Sequence, residues 1–266
     1  MLAYSLSYGM GAKGKSLQET ANMEPVVNVL STHRGRDKFI RLTSYVSTFL
    51  AGQGKTVAGQ RLLAVAKEMS GCRVVLRLFD DLPMLAYSLS YGMGAKEKNQ
   101  TVRIIQILSN IANQLYFPIE HVAWLIDKKV VGFSSTSATW WVVTVALWAM
   151  SLLLEIVKSL VLILQKRKES QRLRKESHLN APDERETTEM GKDIKQQLRT
   201  LRTEHNECML TMFQCLADLM NAINWLPKGF LWGGTFSGRT TGFFGIISTF
   251  IMLYKMWPSD KHQKVD

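Results

Sequence analysis

Cysteine is scarce in this chain of 266 residues, which contains three cysteines and six prolines. Three scattered cysteines are too few for a disulfide scaffold, so that class of small secreted protein is excluded. Hydrophobic residues make up 46% of the chain and charged residues 21%, a balance that excludes a disordered tail protein. The sequence therefore predicts a folded chain with a large apolar content.

Signatures of catalysis and metal binding are also missing. The chain contains no HExxH, CxxC or GxSxG motif. Glu120-His121 and Glu204-His205 each place a carboxylate beside an imidazole. Adjacent residues point to different faces of a helix, so neither pair predicts an acid–base unit. We expect no enzymatic activity, no cofactor and no bound metal ion.

Positive charge is in excess, with 33 Lys and Arg against 22 Asp and Glu and a formal net charge of +11. A nucleic-acid-binding protein usually concentrates such an excess on one element. The one dense basic cluster here lies at 166–175, directly after an apolar run. That position is typical of a membrane edge, so we expect lipid rather than nucleic acid as the partner.

A duplicated stretch stands near the start of the chain. Residues 1–15 read MLAYSLSYGMGAKGK and residues 84–98 read MLAYSLSYGMGAKEK, so the copies differ only at Gly14 and Glu97. Divergent structural repeats do not stay this similar. We interpret 1–22 as a duplicated or artefactual extension and Met23 as a natural start. The alternative is a genuine second membrane-contacting segment.

Helical periodicity dominates the sequence, and no convincing run of alternating strand residues occurs. The predicted N-terminal helices, which lie within an amphipathic cytosolic region over 23–139, span 25–50, 57–79 and 99–116. We expect Pro83 to end or kink the second helix and Pro118 to break the third. The predicted fold class is an all-α integral membrane protein with one clear and one marginal transmembrane helix.

The clear transmembrane helix is predicted over 140–164, an apolar run that begins with two tryptophans. At about 1.5 Å per residue it can cross a hydrocarbon core about 30 Å thick. Glu155 and Lys158 interrupt it, three residues apart. One interpretation is a paired couple that snorkels or faces a bundle. The other is a functional intramembrane charge pair.

The rest of the chain is predicted in four parts. They are a polar basic linker at 165–204, with a disordered middle around 180–189; an amphipathic helix and Gly-rich turn at 205–232; a second transmembrane or re-entrant segment at 241–257; and a polar tail at 258–266. The run at 241–257 is barely long enough to span a bilayer.

The predicted helix at 57–79 combines a basic face with an apolar face, as an interfacial helix does. Its insertion into one leaflet would favour curvature. The alternative is an ordinary surface helix that packs on its neighbours. We also expect Arg77 and Asp81 to form an i,i+4 pair. The candidate membrane-binding residues are Leu62, Lys67, Met69, Arg73, Leu76, Arg77 and Phe79.

Several motifs carry a resemblance to a known family. The N-terminal motifs are His33-Arg34-Gly35-Arg36-Asp37-Lys38, Cys72-Arg73 and Leu76-Arg77-Leu78-Phe79-Asp80-Asp81. The later motifs are Leu115-Tyr116-Phe117-Pro118, Trp140-Trp141, Leu216-Ala217-Asp218-Leu219 and Trp225-Leu226-Pro227-Lys228-Gly229. Over about 23–254 and in this order, the chain resembles the peroxisomal membrane protein 11 family, and its gamma type in particular.

The resemblance implies an integral, multi-pass protein of the peroxisomal membrane that promotes elongation and division of peroxisomes. It implies association with itself and with sister family members, and links to a fission adaptor and a dynamin-like GTPase. It also implies an amphipathic N-terminal helix that inserts into the bilayer, here 57–79. Both termini are expected in the cytosol, which would make 241–257 a second crossing. The positive-inside preference argues the opposite way, so the topology stays open.

The leading hypothesis is therefore non-enzymatic membrane remodelling. A second hypothesis is a pore-forming solute channel with Glu155 and Lys158 as its polar lining. A third is a passive scaffold that recruits the fission machinery without bending the membrane itself.

Overall fold

The structure is a computed structural model that describes residues 23–132, 136–179 and 187–257. The proposed extension at 1–22 and the tail at 258–266 lie outside these ranges. Every regular element within them is a helix, which confirms the all-α prediction.

A helical stretch over 23–31 precedes the longer helices, which we number from the N-terminal side. They are α1 (His33–Ala51), α2 (Val57–Arg77), α3 (Asp81–Tyr91), α4 (Gln100–Asp127), α5 (Ser137–Leu179), α6 (Thr187–Asn224) and α7 (Gly238–Met256). Side-chain caps define several starts, because a capping oxygen satisfies an otherwise unpaired N–H group of the first turn. Thr32 accepts from the Gly35 amide at 2.9 Å, and Thr56 accepts from the Gly59 amide at 3.0 Å.

The predicted helix boundaries need three corrections. The helix expected over 25–50 is interrupted at Thr32, the capping residue of α1. α2 ends at Arg77, and Pro83 lies in the first turn of α3, where a missing N–H group costs little. The prediction that Pro118 breaks a helix is wrong, because α4 continues through it to Asp127. There, packing along α5 outweighs the lost hydrogen bond.

The polar segment at 165–204 is helical wherever the structure describes it. Its first part is the end of α5, and its last part is the beginning of α6. Most of the predicted disordered middle, at 180–186, falls outside the described residues.

The helices pack in a closed order around a central space. α4 packs on α5, α5 on α6, α6 on α7, α7 on α1 and α1 on α2, while α2 touches α4 and completes the circuit. The main apolar core lies between α5 and α6 and consists of Ala149, Leu152, Cys215, Leu219, Ala222 and Ile223. The circuit brings α1, α2 and α4 to the same side of α5.

Glycines allow α7 to approach α1 closely. A Cβ atom added to Gly245 would lie 2.2 Å from the Tyr45 ring, and one added to Gly242 would lie 2.7 Å from the Phe49 backbone. Small residues at a contact let two helix backbones approach closely. The C-terminal helix is therefore fixed to the N-terminal one by backbone proximity.

α5 contains a candidate membrane span. Within the described residues, Ser137–Glu176 is the one helical segment long and apolar enough to cross a bilayer. Only 22% of its most apolar window is buried, unlike the core helix of a soluble protein. α7 contains most of the second crossing predicted at 241–257 but does not meet the same criterion, so that crossing is not supported.

Candidate functional site

The outer surface of the helices carries long apolar stripes. On α4, Ile104, Leu108, Ile111 and Leu115 recur every three or four residues and are each about half exposed. On α5, the exposed stripe consists of Val143, Met150, Leu153, Val157, Leu160 and Leu164. Contiguous apolar surface of this kind marks a site of contact with a membrane or a partner.

The stretch from the end of α2 through α3 is the most exposed apolar part of the N-terminal half. Phe79 is 74% exposed and Leu82 is 76% exposed, and Leu89 follows two turns later at 72%. The turn at 78–80 and α3 therefore present large side chains that nothing in the described chain covers. Such side chains suit the boundary between headgroups and acyl chains.

The inner side of the same helices is charged. Arg77 of α2 forms a two-pronged ion pair with Glu120 of α4, with Nε–Oε2 at 2.8 Å and the second nitrogen to Oε1 at 2.5 Å. The Tyr116 hydroxyl donates to the same carboxylate at 2.8 Å. Burial, together with the negative charge of Glu120, raises the pKa of Tyr116. The three side chains join α2 to α4.

A second ion pair joins α2 to α1. Arg73 Nε donates to Asp37 Oδ1 at 2.8 Å, and Lys38 Nζ lies 2.7 Å from Asp37 Oδ2. Burial alone would raise the pKa of Asp37, but Arg73 and Lys38 outweigh it and hold the pKa well below its usual value. Asp37 is therefore an ionised anchor for both cations.

A third ion pair joins α1 to the C-terminal helices. Arg41 pairs with Asp218 of α6 and donates to Ser248 of α7 at 3.0 Å. The Arg41 guanidinium also lies 5.3 Å from the centre of the Tyr45 ring. Removal of one partner from such a buried pair leaves an uncompensated charge and is strongly destabilising.

These charges surround a cavity of about 430 Å³ enclosed by α1, α2, α4 and α5. Its charged lining includes Lys38, Arg73, Arg77 and Glu120. The aromatic part of its lining consists of Tyr45, Tyr116, Phe117, Trp141, Trp148 and Trp225. The lining of this cavity is thus charged and aromatic, whereas the outer faces of α4 and α5 carry apolar stripes.

The structure separates the predicted membrane-binding residues into three groups. Lys67 and Phe79 are exposed. The apolar side chains Leu62, Met69 and Leu76 are half-buried. Arg73 and Arg77 turn inwards to Asp37 and Glu120. A role for these seven residues at the membrane stays a prediction.

The predicted pair between Arg77 and Asp81 is wrong. α2 ends at Arg77, so the two residues do not lie on one helix, and Arg77 reaches Glu120 instead. Asp81 Oδ2 lies 3.1 Å from His121 Nδ1. The adjacent Glu120 and His121 thus have separate partners, as their different helix faces predict.

Glu155 and Lys158 do pair, with a Nζ–Oε2 distance of 2.6 Å. Lys158 also donates to Gln106 of α4 at 2.9 Å. The couple therefore faces the neighbouring helix, and neither residue lines the central cavity. In the described parts of the chain, no three His, Cys, Asp or Glu side chains are grouped to hold a metal ion.

The acidic partners in the interior were not predicted from the sequence. Asp218 and Glu120 each follow apolar residues in their helices, and that isolation was the available signal for these two. Asp37 lies between Arg36 and Lys38, so its sequence neighbours gave no such signal. Their cations lie 36, 43 and 177 residues away in the chain. Periodicity within one helix contains no information about such distant pairs.

One helix long and apolar enough to cross a membrane, inward charges and outward apolar stripes together involve almost the whole described chain. A family match covers the same length. A model described as peroxisomal biogenesis factor 11 (PEX11) matches residues 23–257. The chain belongs to the PEX11 family. The match begins at Met23, after the first copy of the duplicated stretch, and includes the second copy.

Two named relatives agree with this assignment. The chain is similar to human peroxisomal membrane protein 11C, with 37% identity over 88% of this chain and 94% of the relative. It is also similar to the mouse protein of the same name, with 36% identity over 87% of this chain and 92% of the relative. No solved structure matches. The family description refers to the biogenesis of an organelle and not to a class of enzyme.

Proposed function

We propose that this PEX11-family chain resides in the peroxisomal membrane, crosses it with α5 and remodels it without catalysis. The observation that carries the proposal is the outward apolar surface, above all Phe79 and Leu82 at the junction of α2 and α3. Shallow insertion of this junction expands one leaflet and favours curvature, elongation and division.

The ion pairs of α2 refine the proposed mechanism. Arg73 and Arg77 hold the helix to α1 and α4 with one side inwards. Lys67 and Phe79 remain exposed for contact with headgroups and acyl chains, while Leu62, Met69 and Leu76 contribute from the edge of the packed face. Contact of Arg73 or Arg77 with headgroups would require these ion pairs to open.

A vesicle assay tests this mechanism. Full-length chain carrying Phe79→Glu and Leu82→Glu should lose the ability to tubulate vesicles of mixed neutral and anionic lipid, because charges do not enter the acyl region. Electron microscopy of the vesicles would measure the tubulated fraction.

The matched control carries Gln60→Glu and Ser90→Glu, which add the same charge at exposed polar positions of α2 and α3. We expect the control to tubulate like the unchanged chain. Unchanged tubulation by the Phe79 and Leu82 variant would contradict the proposal.

A solute channel is the second candidate, because the charged central cavity offers a polar interior. The lining would then come from α1, α2 and α4 rather than from Glu155 and Lys158. Planar-bilayer conductance should change with Arg73→Gln and stay unchanged with Glu155→Gln. Silent bilayers would count against a channel.

Recruitment of partners is also part of the proposal. Self-association, association with sister family members, and binding of a fission adaptor and a dynamin-like GTPase are expected of a remodelling protein that completes division. A passive scaffold would recruit the same partners and leave vesicles undeformed.

A further inference from the structure

A second cavity lies apart from the charged interior, between the polar ends of α5 and α6. Its volume is about 690 Å³, and sites for small ligands commonly measure roughly 300–1,000 Å³. Leu198 and Leu201 form an apolar part of its wall. Its basic lining consists of Lys166, Arg167 and Arg174 from α5 and Lys195, Arg199 and Arg202 from α6. We call this cavity the basic groove.

The positive charge of the basic groove is largely uncompensated. Lys166 pairs with Glu204, but the other five basic side chains form no ion pair within the described part of the chain. Among the nearby acids, Glu176 pairs with Arg172 and Asp193 accepts from Gln197. Glu169 is exposed on α5 and does not line the groove. Packing of α5 on α6 therefore holds five like charges around one space, and a polyanion would relieve their repulsion.

The basic groove lies directly beyond the apolar part of α5. Lys166 follows directly after the apolar run at 140–164. At about 1.5 Å per residue, the basic wall from Lys166 to Arg174 extends about 12 Å along α5. The groove thus begins at headgroup level and continues outwards, with room for a headgroup taller than a single phosphate.

We propose that the basic groove binds a multiply phosphorylated inositol, presented as the headgroup of a membrane lipid or free in solution. Guanidinium groups bind phosphate oxygens through paired hydrogen bonds, and four of the five unpaired cations are arginines. Ser170 and Asn206 supply neutral donors in the same wall. This inference rests on the proposed crossing of the membrane by α5 but not on remodelling, since a channel or a scaffold could carry the same site.

Binding measurements on the full chain in an uncharged detergent test the proposal. Titration calorimetry would use two probes, inositol trisphosphate and a short-chain phosphatidylinositol bisphosphate. The groove variants are Arg167→Gln with Arg174→Gln, and Arg199→Gln with Arg202→Gln. Each should weaken binding by roughly tenfold or more, because each cation near anionic phosphate contributes on the order of fivefold in affinity.

The matched control is Lys168→Gln with Lys175→Gln. Lys168 and Lys175 are exposed, lie next to Arg167 and Arg174 on α5, and do not line the groove. Their substitution removes the same amount of charge as each groove variant. We expect the control to bind nearly as tightly as the unchanged chain. Unaltered thermal unfolding midpoints would show that all variants are folded.

The outcomes separate the two sources of ligand. Much tighter binding of the lipid probe supports the groove as a lipid headgroup site, and equal binding of both probes supports a soluble ligand. The proposal is overturned if neither probe binds, or if the control loses as much affinity as the groove variants. Binding of polyglutamate with no response to either phosphate probe would also overturn it, in favour of an acidic protein partner.

Discussion

At the scale of single residues, the defining feature is that charged side chains of the amphipathic helices form ion pairs with charged side chains of neighbouring helices. Glu120 has 2% of its side chain exposed and receives both Arg77 and the Tyr116 hydroxyl. Because an unpaired buried charge costs far more than a solvated one, each such pair fixes how two helices face each other.

The first prediction concerns the pair of Arg77 and Glu120. Glu120→Gln should lower the free energy of unfolding by about 3–5 kcal/mol, because it leaves the Arg77 charge unpaired in a buried place. The double variant Arg77→Glu with Glu120→Arg should recover part of this loss by restoring the pair. Thermal unfolding in detergent would measure both effects.

The exposed pair of Arg172 and Glu176 on α5 is the control for this prediction. Glu176→Gln should change the free energy of unfolding by less than about 1 kcal/mol, since solvent already screens such a pair. Equal effects of Glu120→Gln and Glu176→Gln would contradict the assignment of a buried network.

At the scale of elements, much of the helical pattern could be predicted and the pairing of helices could not. The recurrence of Ile104, Ile111 and Leu115 predicts the first part of α4 correctly, because apolar spacing is a property of one helix. The same spacing does not show whether a stripe faces a core or a membrane. The continuation past Pro118 and the inward turn of Arg73 depend on distant helices, so local sequence could not reveal them.

A prediction at this scale concerns the crossing of α1 and α7. Gly245→Val should lower the free energy of unfolding by about 1–3 kcal/mol, because any Cβ atom there meets the Tyr45 ring. Chemical unfolding monitored by circular dichroism would measure the change.

Gly71 in α2 provides a control at which substitution should raise the free energy of unfolding instead of lowering it. A Cβ atom added there meets nothing within 4 Å. Gly71→Ala should therefore raise stability by about 0.5–1 kcal/mol through its helix propensity. Destabilisation of similar size by both substitutions would contradict the close approach of α7 to α1.

At the scale of the whole molecule, the arrangement reverses that of a typical soluble protein. Arg41, Asp37 and Glu120 are buried, while large apolar side chains line the outside of α4 and α5. Ion pairs therefore join helices in the interior beside the apolar core between α5 and α6, and the outer apolar surface is the part that the proposed function assigns to lipid. The family match over 23–257 agrees with this reading, since PEX11 proteins are peroxisomal biogenesis factors.

The most direct test of the account is the length and number of peroxisomes in cells that express the tagged chain from Met23. The account predicts a peroxisomal location with elongated or more numerous organelles, and normal organelles when Phe79→Glu and Leu82→Glu are present. A peroxisomal location with unchanged morphology for the unaltered chain would contradict remodelling and favour a channel or a scaffold. A location in another membrane would contradict the account as a whole.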